Sequence, residues 1–121
     1  MLTMESVLRE KSYSFALGIV RLCRYLVDEH REFVLSKQVL RSGTAIGASV
    51  SEAEFAQSKK DFVSKLSIAL KEANETRYWL RLLQDGQYLT ESMYKSVRPD
   101  IDELIKLLVS SINTTKSNKH T

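Results

Sequence analysis

The chain has 121 residues, 43% of them hydrophobic, which suits one domain around one core. Four Gly and one Pro leave few places to turn, which favours a handful of long helices over many short strands. A net charge of +3 is mildly basic and does not by itself indicate nucleic-acid binding, and a single cysteine excludes an internal disulfide.

Helix 1 is predicted from about Glu5 to His30. Leu8, Phe15, Ile19, Leu22 and Leu26 recur at three- and four-residue steps on one face, and Ala16, Cys23 and Val27 widen it. Cys23, in this apolar stretch, reads as a buried structural thiol. His30 lies at the helix end, where a cation would favour the dipole.

Helix 2 is predicted from Ser36, as N-cap, to about Phe55, after a link over Arg31–Leu35. Its inward positions are Leu35, Val39, Ser42, Ile46, Ser49 and Ala53. Gly43, Ala45, Gly47 and Ala48 add small residues, and glycine inside a helix costs up to about 1 kcal/mol. Close approach of another helix is the natural compensation. The G-x-x-x-G spacing from Gly43 to Gly47 signals membrane dimerisation only within an apolar span. Here Arg41 and Glu52 flank it, so tight packing in water is expected.

Helix 3 is predicted from Lys59 to Gln84. Ser58-Lys-Lys-Asp61 resembles a capping box with Asp in place of Glu. Phe62, Leu66, Ala69, Ala73, Thr76, Leu80 and Leu83 alternate in steps of four and three, and Gly86 suits a left-handed position after the end. Val63, Leu70, Ile68, Trp79 and Leu82 widen the apolar arc to about 200°, against the roughly 100° a surface helix needs. Other helices or a neighbouring subunit must bury the surplus, so an oligomer is expected.

Helix 4 is predicted from Thr90, as cap, to about Asn113, with Val97, Ile101, Leu104, Ile105, Leu108 and Ile112 as its core stripe. Pro99 removes a backbone bond and crowds the preceding turn. We read one kinked helix, with a separate turn over Thr90–Val97 as the alternative. Residues 114–121 are polar and read as a disordered tail. Four amphipathic helices on short links give an all-α, antiparallel up-down-up-down four-helix bundle.

No apolar run approaches the roughly 18 residues of a membrane span, and the N-terminus carries acids and lacks an apolar h-region. Neither a membrane role nor a signal peptide is predicted, and a cytoplasmic location is expected. Catalysis finds no support. Cys23 and His30 share a face two turns apart, about 10 Å at 1.5 Å per residue, too far for a nucleophile–base pair. His120 lies in the tail. A di-iron site needs Glu-x-x-His pairs, but Val27 precedes His30 by three and no histidine follows Glu72 or Glu75. No phosphate loop, nucleophile elbow or zinc-type cysteine pair occurs, so neither a cofactor nor an enzymatic activity is predicted.

The excess positive charge is local. Residues 59–84 hold six basic side chains against three acidic ones, whereas 85–113 hold three against five. On the helix 3 wheel, Lys60, Ser64, Ser67, Lys71, Asn74, Tyr78 and Arg81 form a stripe opposite the core. Such side chains can neutralise and hydrogen-bond phosphates, with Arg77 beside them. An ordinary solvated helix face would look the same. Arg41, Glu52, Lys65, Glu72 and Glu75 are expected to form an ion-pair network at a helix or subunit interface, since Glu72 and Lys65 fall beside the core stripe, and Trp79 is placed with them as a structural or interface residue.

From Leu40 to Leu89 the chain closely resembles the bacterial four-helix bundle family, also called the 23S rRNA intervening-sequence protein family. The matching residues run in order: Arg41-Ser42-Gly43, Ile46-Gly47-Ala48, Glu52-Ala53, Asp61-Phe62, Lys65-Leu66, Ile68-Ala69, Lys71-Glu72-Ala73, Glu75-Thr76 and Tyr78-Trp79-Leu80. The resemblance implies a four-helix bundle that assembles as a ring-shaped homopentamer. It also implies kinship with the accessory variability determinant of diversity-generating retroelements, a basic pentameric barrel that binds nucleic acid and a reverse transcriptase. Where the family often has Ser and Asn, this chain has Ala45 and Ser49, and Pro99 is unusual for the family. The resulting expectation is a non-catalytic accessory protein that binds structured RNA, DNA or an RNA–protein complex. Its protein partner would be of the reverse transcriptase kind. A protein-interaction scaffold with no nucleic-acid role is the alternative.

Overall fold

The computed structural model describes residues 3–118, and these residues form four helices and no strand. The helices are α1 (Met4–His30), α2 (Leu35–Ala53), α3 (Lys59–Asp85) and α4 (Glu91–Ser117). Each packs on its chain neighbours, and α4 closes back on α1, with no close backbone approach across either diagonal among the described residues. This is the expected up-down-up-down bundle. Its core follows the predicted stripes, with Val50 and Leu89 added and Leu35, Phe62, Val97 and Ile105 only partly buried. Leu8, Ile19 and Leu26 of α1, Val39 and Ile46 of α2, Leu66 and Leu80 of α3, and Ile101, Leu104 and Leu108 of α4 are almost completely buried. Each such aliphatic side chain contributes about 1.5–3 kcal/mol relative to exposure.

Three helix starts follow their capping residues. Thr3, Ser58 and Thr90 accept the N–H of Ser6, Asp61 and Met93 at 3.0, 3.0 and 3.1 Å. The Asp61 carboxylate reaches back to the Gln57 N–H at 3.2 Å, one residue before the usual capping-box donor.

The α2 start differs from the prediction. The helix begins at Leu35 and Ser36 lies inside it. Glu32, from the link, does the capping. Its carboxylate accepts the N–H groups of Val34, Leu35 and Ser36 at 3.1, 2.9 and 2.7 Å. A carboxylate satisfies three orphan donors where a hydroxyl satisfies one, and its charge suits the helix N-terminus. The α2 end also moves, from Phe55 back to Ala53.

The helix ends hold two further differences. Gly86 has φ −80°, and the left-handed residue is Gln87 at φ 68°. Arg31 is left-handed at φ 52°, with its N–H on Val27 O and that of Glu32 on Leu26 O, a left-handed closure without glycine. Helix α4 runs unbroken through Pro99 and on to Ser117, so residues 114–117 of the predicted tail are helical. Pro99 is exposed, where the Lys95 carbonyl it leaves unpaired can turn to water. The remainder of that tail, 119–121, lies outside the described residues.

The small residues of α2 allow the expected close approach. A Cβ added at Gly43 would stand 3.0 Å from two carbons of Ile19 on α1. Between α2 and α3, Ser42 and Thr76 are fully buried and their hydroxyls share a hydrogen bond at 2.8 Å. Thr76 also bonds the Glu72 carbonyl, so this polar pair leaves no unsatisfied group in the core.

The wide apolar arc of α3 is divided. Val63, Leu70 and Trp79 pack against the core from its edges, while Ile68 and Leu82 remain exposed. Only part of that surplus is covered within the chain itself.

Candidate nucleic-acid interface

Because α3 continues for 27 residues without a break, side chains at three- and four-residue steps stay aligned along it. Lys60, Ser64, Ser67, Lys71, Asn74, Tyr78 and Arg81 are all exposed. From Lys60 to Arg81 the row spans about 32 Å at 1.5 Å per residue. Lys60 and Lys71 form no salt bridge among the described residues.

The two arginines are engaged. Arg81 lies 3.7 Å from Asp85, a fully solvated pair of little energetic weight. Arg77 donates to the Asn74 side chain at 3.1 Å and lies 3.6 Å from Asp102 of α4. The structure therefore turns Arg77 from the row towards the α3/α4 seam. There Asp102 also accepts from Arg98 at 3.0 Å, and Arg98 donates to Tyr94 at 2.5 Å. Two guanidiniums thus share one carboxylate. Arg98 and Tyr94 were not singled out from the sequence. The spacing of Tyr94, Arg98 and Asp102 at successive fours was the available signal.

The five charged residues expected to form one network form two groups at the α2/α3 seam. Arg41 donates to Glu72 at 3.0 and 3.3 Å and also to Glu75. Trp79 completes this group, its indole N–H donating to Glu75 at 3.0 Å. That bond, with Arg41 behind it, holds the Glu75 carboxyl below the usual carboxylate range against the opposing effect of burial. Glu52 and Lys65 form a separate pair at 3.6 Å, with Glu52 well exposed. Both groups lie within one chain and tie α2 to α3. Two pairs not anticipated, Arg9 with Glu54 at 2.6 Å and Lys11 with Glu103 at 3.3 Å, tie α1 to its two neighbours.

The chain's reactive side chains are not brought together. Cys23 is buried and donates to the Ser36 carbonyl at 3.3 Å, and burial, with Glu32 nearby, pushes its thiol up to about 11. A thiol so shifted is a poor nucleophile at neutral pH. His30 instead meets Tyr25 at 3.2 Å and stacks edge-on between Tyr25 and Tyr88. No group of three metal-ligating side chains occurs among the described residues, and no helix among them is long and apolar enough to cross a membrane.

The order of motifs through α2 and α3 is what places the chain. The family model of the 23S rRNA-intervening sequence protein matches residues 4–110, which takes in all but the last turns of the bundle. The chain belongs to this family. A crystal structure of a protein with unknown function from the S23 ribosomal protein family of Bacteroides thetaiotaomicron is similar to it. The two are 54% identical with a TM-score of 0.90, over 92% of this chain and 99% of that one. No curated protein matches the chain. As a member of the 23S rRNA-intervening sequence family, the chain shares its bundle with that relative over 92% of its length.

Proposed function

We propose that this chain is a non-catalytic, homo-oligomeric accessory protein that binds structured RNA, or an RNA–protein complex, through the outer face of α3. The observation that carries this reading is the exposed row with Lys60 and Lys71 free of salt bridges. Beside it, two arginines share Asp102. Free lysines release counterions when they meet phosphates, while Ser64, Ser67, Asn74 and Tyr78 supply hydrogen bonds. Such binding is salt-sensitive and largely independent of sequence. A ring of five copies, as the family resemblance implies, would repeat the face and raise affinity through multivalency. A reverse transcriptase or similar RNA-handling enzyme is the kind of protein partner this reading accommodates.

The test is fluorescence anisotropy with a structured RNA over a salt series. The Lys60→Ala, Lys71→Ala, Arg81→Ala triple variant should bind more weakly, with a salt slope lower by about 2–3. Unchanged binding by the variant would sink the α3 reading. Absence of binding by the native chain would favour the scaffold reading, which the exposed apolar side chains of α1 and α2 support.

A further inference from the structure

Tyr78 is the one aromatic side chain of the exposed α3 row, and it is 60% exposed. Its hydroxyl has no hydrogen-bond partner among the described residues. The ring is nevertheless held in place. It meets Trp79 edge-on, with 5.2 Å between centroids and 69° between planes. Trp79 in turn packs on the core and donates its indole N–H to Glu75 at 3.0 Å. An edge-to-face contact covers at most one face of a ring. At least one face of Tyr78 therefore stays open, on a side chain already ordered before any ligand arrives.

The surroundings indicate what that face can take. Asn74 stands one turn before Tyr78 on the same side of α3, and Arg81 one turn after. Lys71 lies about 10 Å to one side of Tyr78 along the axis and Arg81 about 4.5 Å to the other, at 1.5 Å per residue. Lys71 forms no salt bridge among the described residues, and the exposed Arg81–Asp85 pair opens at little cost. An open aromatic face between two available cations suits single-stranded nucleic acid. The base stacks on the ring while the flanking phosphates meet the cations.

The other tyrosines lack this arrangement. Tyr25 and Tyr94 engage His30 and Arg98 through their hydroxyls, and Tyr88 is half-buried. Tyr13 is exposed, but on α1 it is surrounded by Arg9, which is paired with Glu54, and by Glu10, Ala16 and Leu17. A protein partner fits Tyr78 less well, because the core of a protein interface is depleted of charge and two cations bracket this ring.

We propose that Tyr78 is a stacking platform for an unpaired nucleobase, so that the α3 face takes loops or single strands of RNA in preference to continuous duplex. The proposal rests on the RNA reading given above and names the part of the RNA that is recognised. Bases inside a duplex are stacked on both faces by their neighbours, and freeing one costs unstacking and unpairing. Loops present open faces, and an aromatic side chain accepts any base because every base has a π face.

The test compares Tyr78→Phe, which keeps the ring, with Tyr78→Leu, which keeps apolar bulk without it. Each is titrated by fluorescence anisotropy against a stem-loop RNA and against a blunt RNA duplex, at one salt concentration. Tyr78→Leu should bind the stem-loop about tenfold more weakly than Tyr78→Phe, within what one stacked base is worth. The two should not differ on the duplex, and their salt slopes should match, since neither change removes a charge. Urea melts of both variants should agree, because the side chain is exposed. Equal binding of the stem-loop by the two variants, or an equal gap on the duplex, overturns the stacking proposal and leaves the α3 reading to its own triple variant. A native chain that binds neither RNA overturns both.

Discussion

Arg41 binds Glu72 through both of its terminal guanidinium nitrogens, at 3.0 and 3.3 Å, across the seam between α2 and α3. Glu72 keeps 17% of its side-chain exposure and Arg41 keeps 51%, so the pair is partly shielded. A two-pronged pair with this burial outweighs a single-point surface pair. We expect Glu72→Ala to cost about 1 kcal/mol in a urea melt, at the upper end for exposed pairs. Glu52→Ala, which breaks the looser pair with Lys65, should cost less than about 0.5 kcal/mol. Equal costs, or no cost at Glu72, would remove the distinction.

Glu75 gives the α2/α3 seam an acid dependence. Its pKa lies below its ordinary 4.5, chiefly through the Trp79 N–H and then through Arg41. A depressed carboxylate contributes stability above its unfolded pKa and loses it as pH falls through the folded value. Stability from this group should therefore decline as pH drops below about 4.5. Trp79→Phe removes the main donor, so the Glu75 resonance should titrate at higher pH and the acid decline should flatten. Carboxyl NMR titration with urea melts across this range checks both. An unmoved Glu75 titration would mean the indole bond does not form in solution.

Glu32 carries the start of α2, with three backbone N–H groups on one carboxylate. Losing a cap costs about 0.5–2 kcal/mol. Glu32→Ala should fall in the upper half of that range in thermal or urea melts, and Glu32→Gln in the lower half. Ser36→Ala should cost less than Glu32→Ala, since its hydroxyl only returns a bond to the Glu32 carbonyl. The reverse order would restore Ser36 as the cap.

Two glycines on neighbouring helices should respond with opposite signs. Gly18 on α1 faces open space, with nothing within 4 Å of an added Cβ. Gly18→Ala should stabilise by about 0.4–1 kcal/mol through helix propensity and loss of unfolded-state freedom. At Gly43 the added carbon would press on Ile19 at 3.0 Å, and both are buried. Gly43→Ala should destabilise by about 1–3 kcal/mol, the cost of overpacking a core. Parallel urea melts of the two variants decide it.

The sequence by itself determined the four helices, their core faces and three of the four helix starts. Hydrophobic periodicity and a capping hydroxyl are local properties, readable within a few residues of where they act. The motif order through α2 and α3 likewise carried the family. Tertiary structure decided what depends on neighbours from elsewhere in the chain. Helix ends closed at Arg31 and Gln87, because terminal carbonyls can be satisfied without glycine once packing holds the turn. Arg77, beside the exposed row in sequence, was drawn to Asp102 of the next helix. The expected five-residue charge network separated into two groups, since it depends on the α2/α3 register. The surplus apolar surface of α3 was covered in part by its own bundle, and open grooves appeared along α1, against both α2 and α4. A helical wheel gives the direction of a side chain from its axis, but only the packed bundle gives what stands opposite.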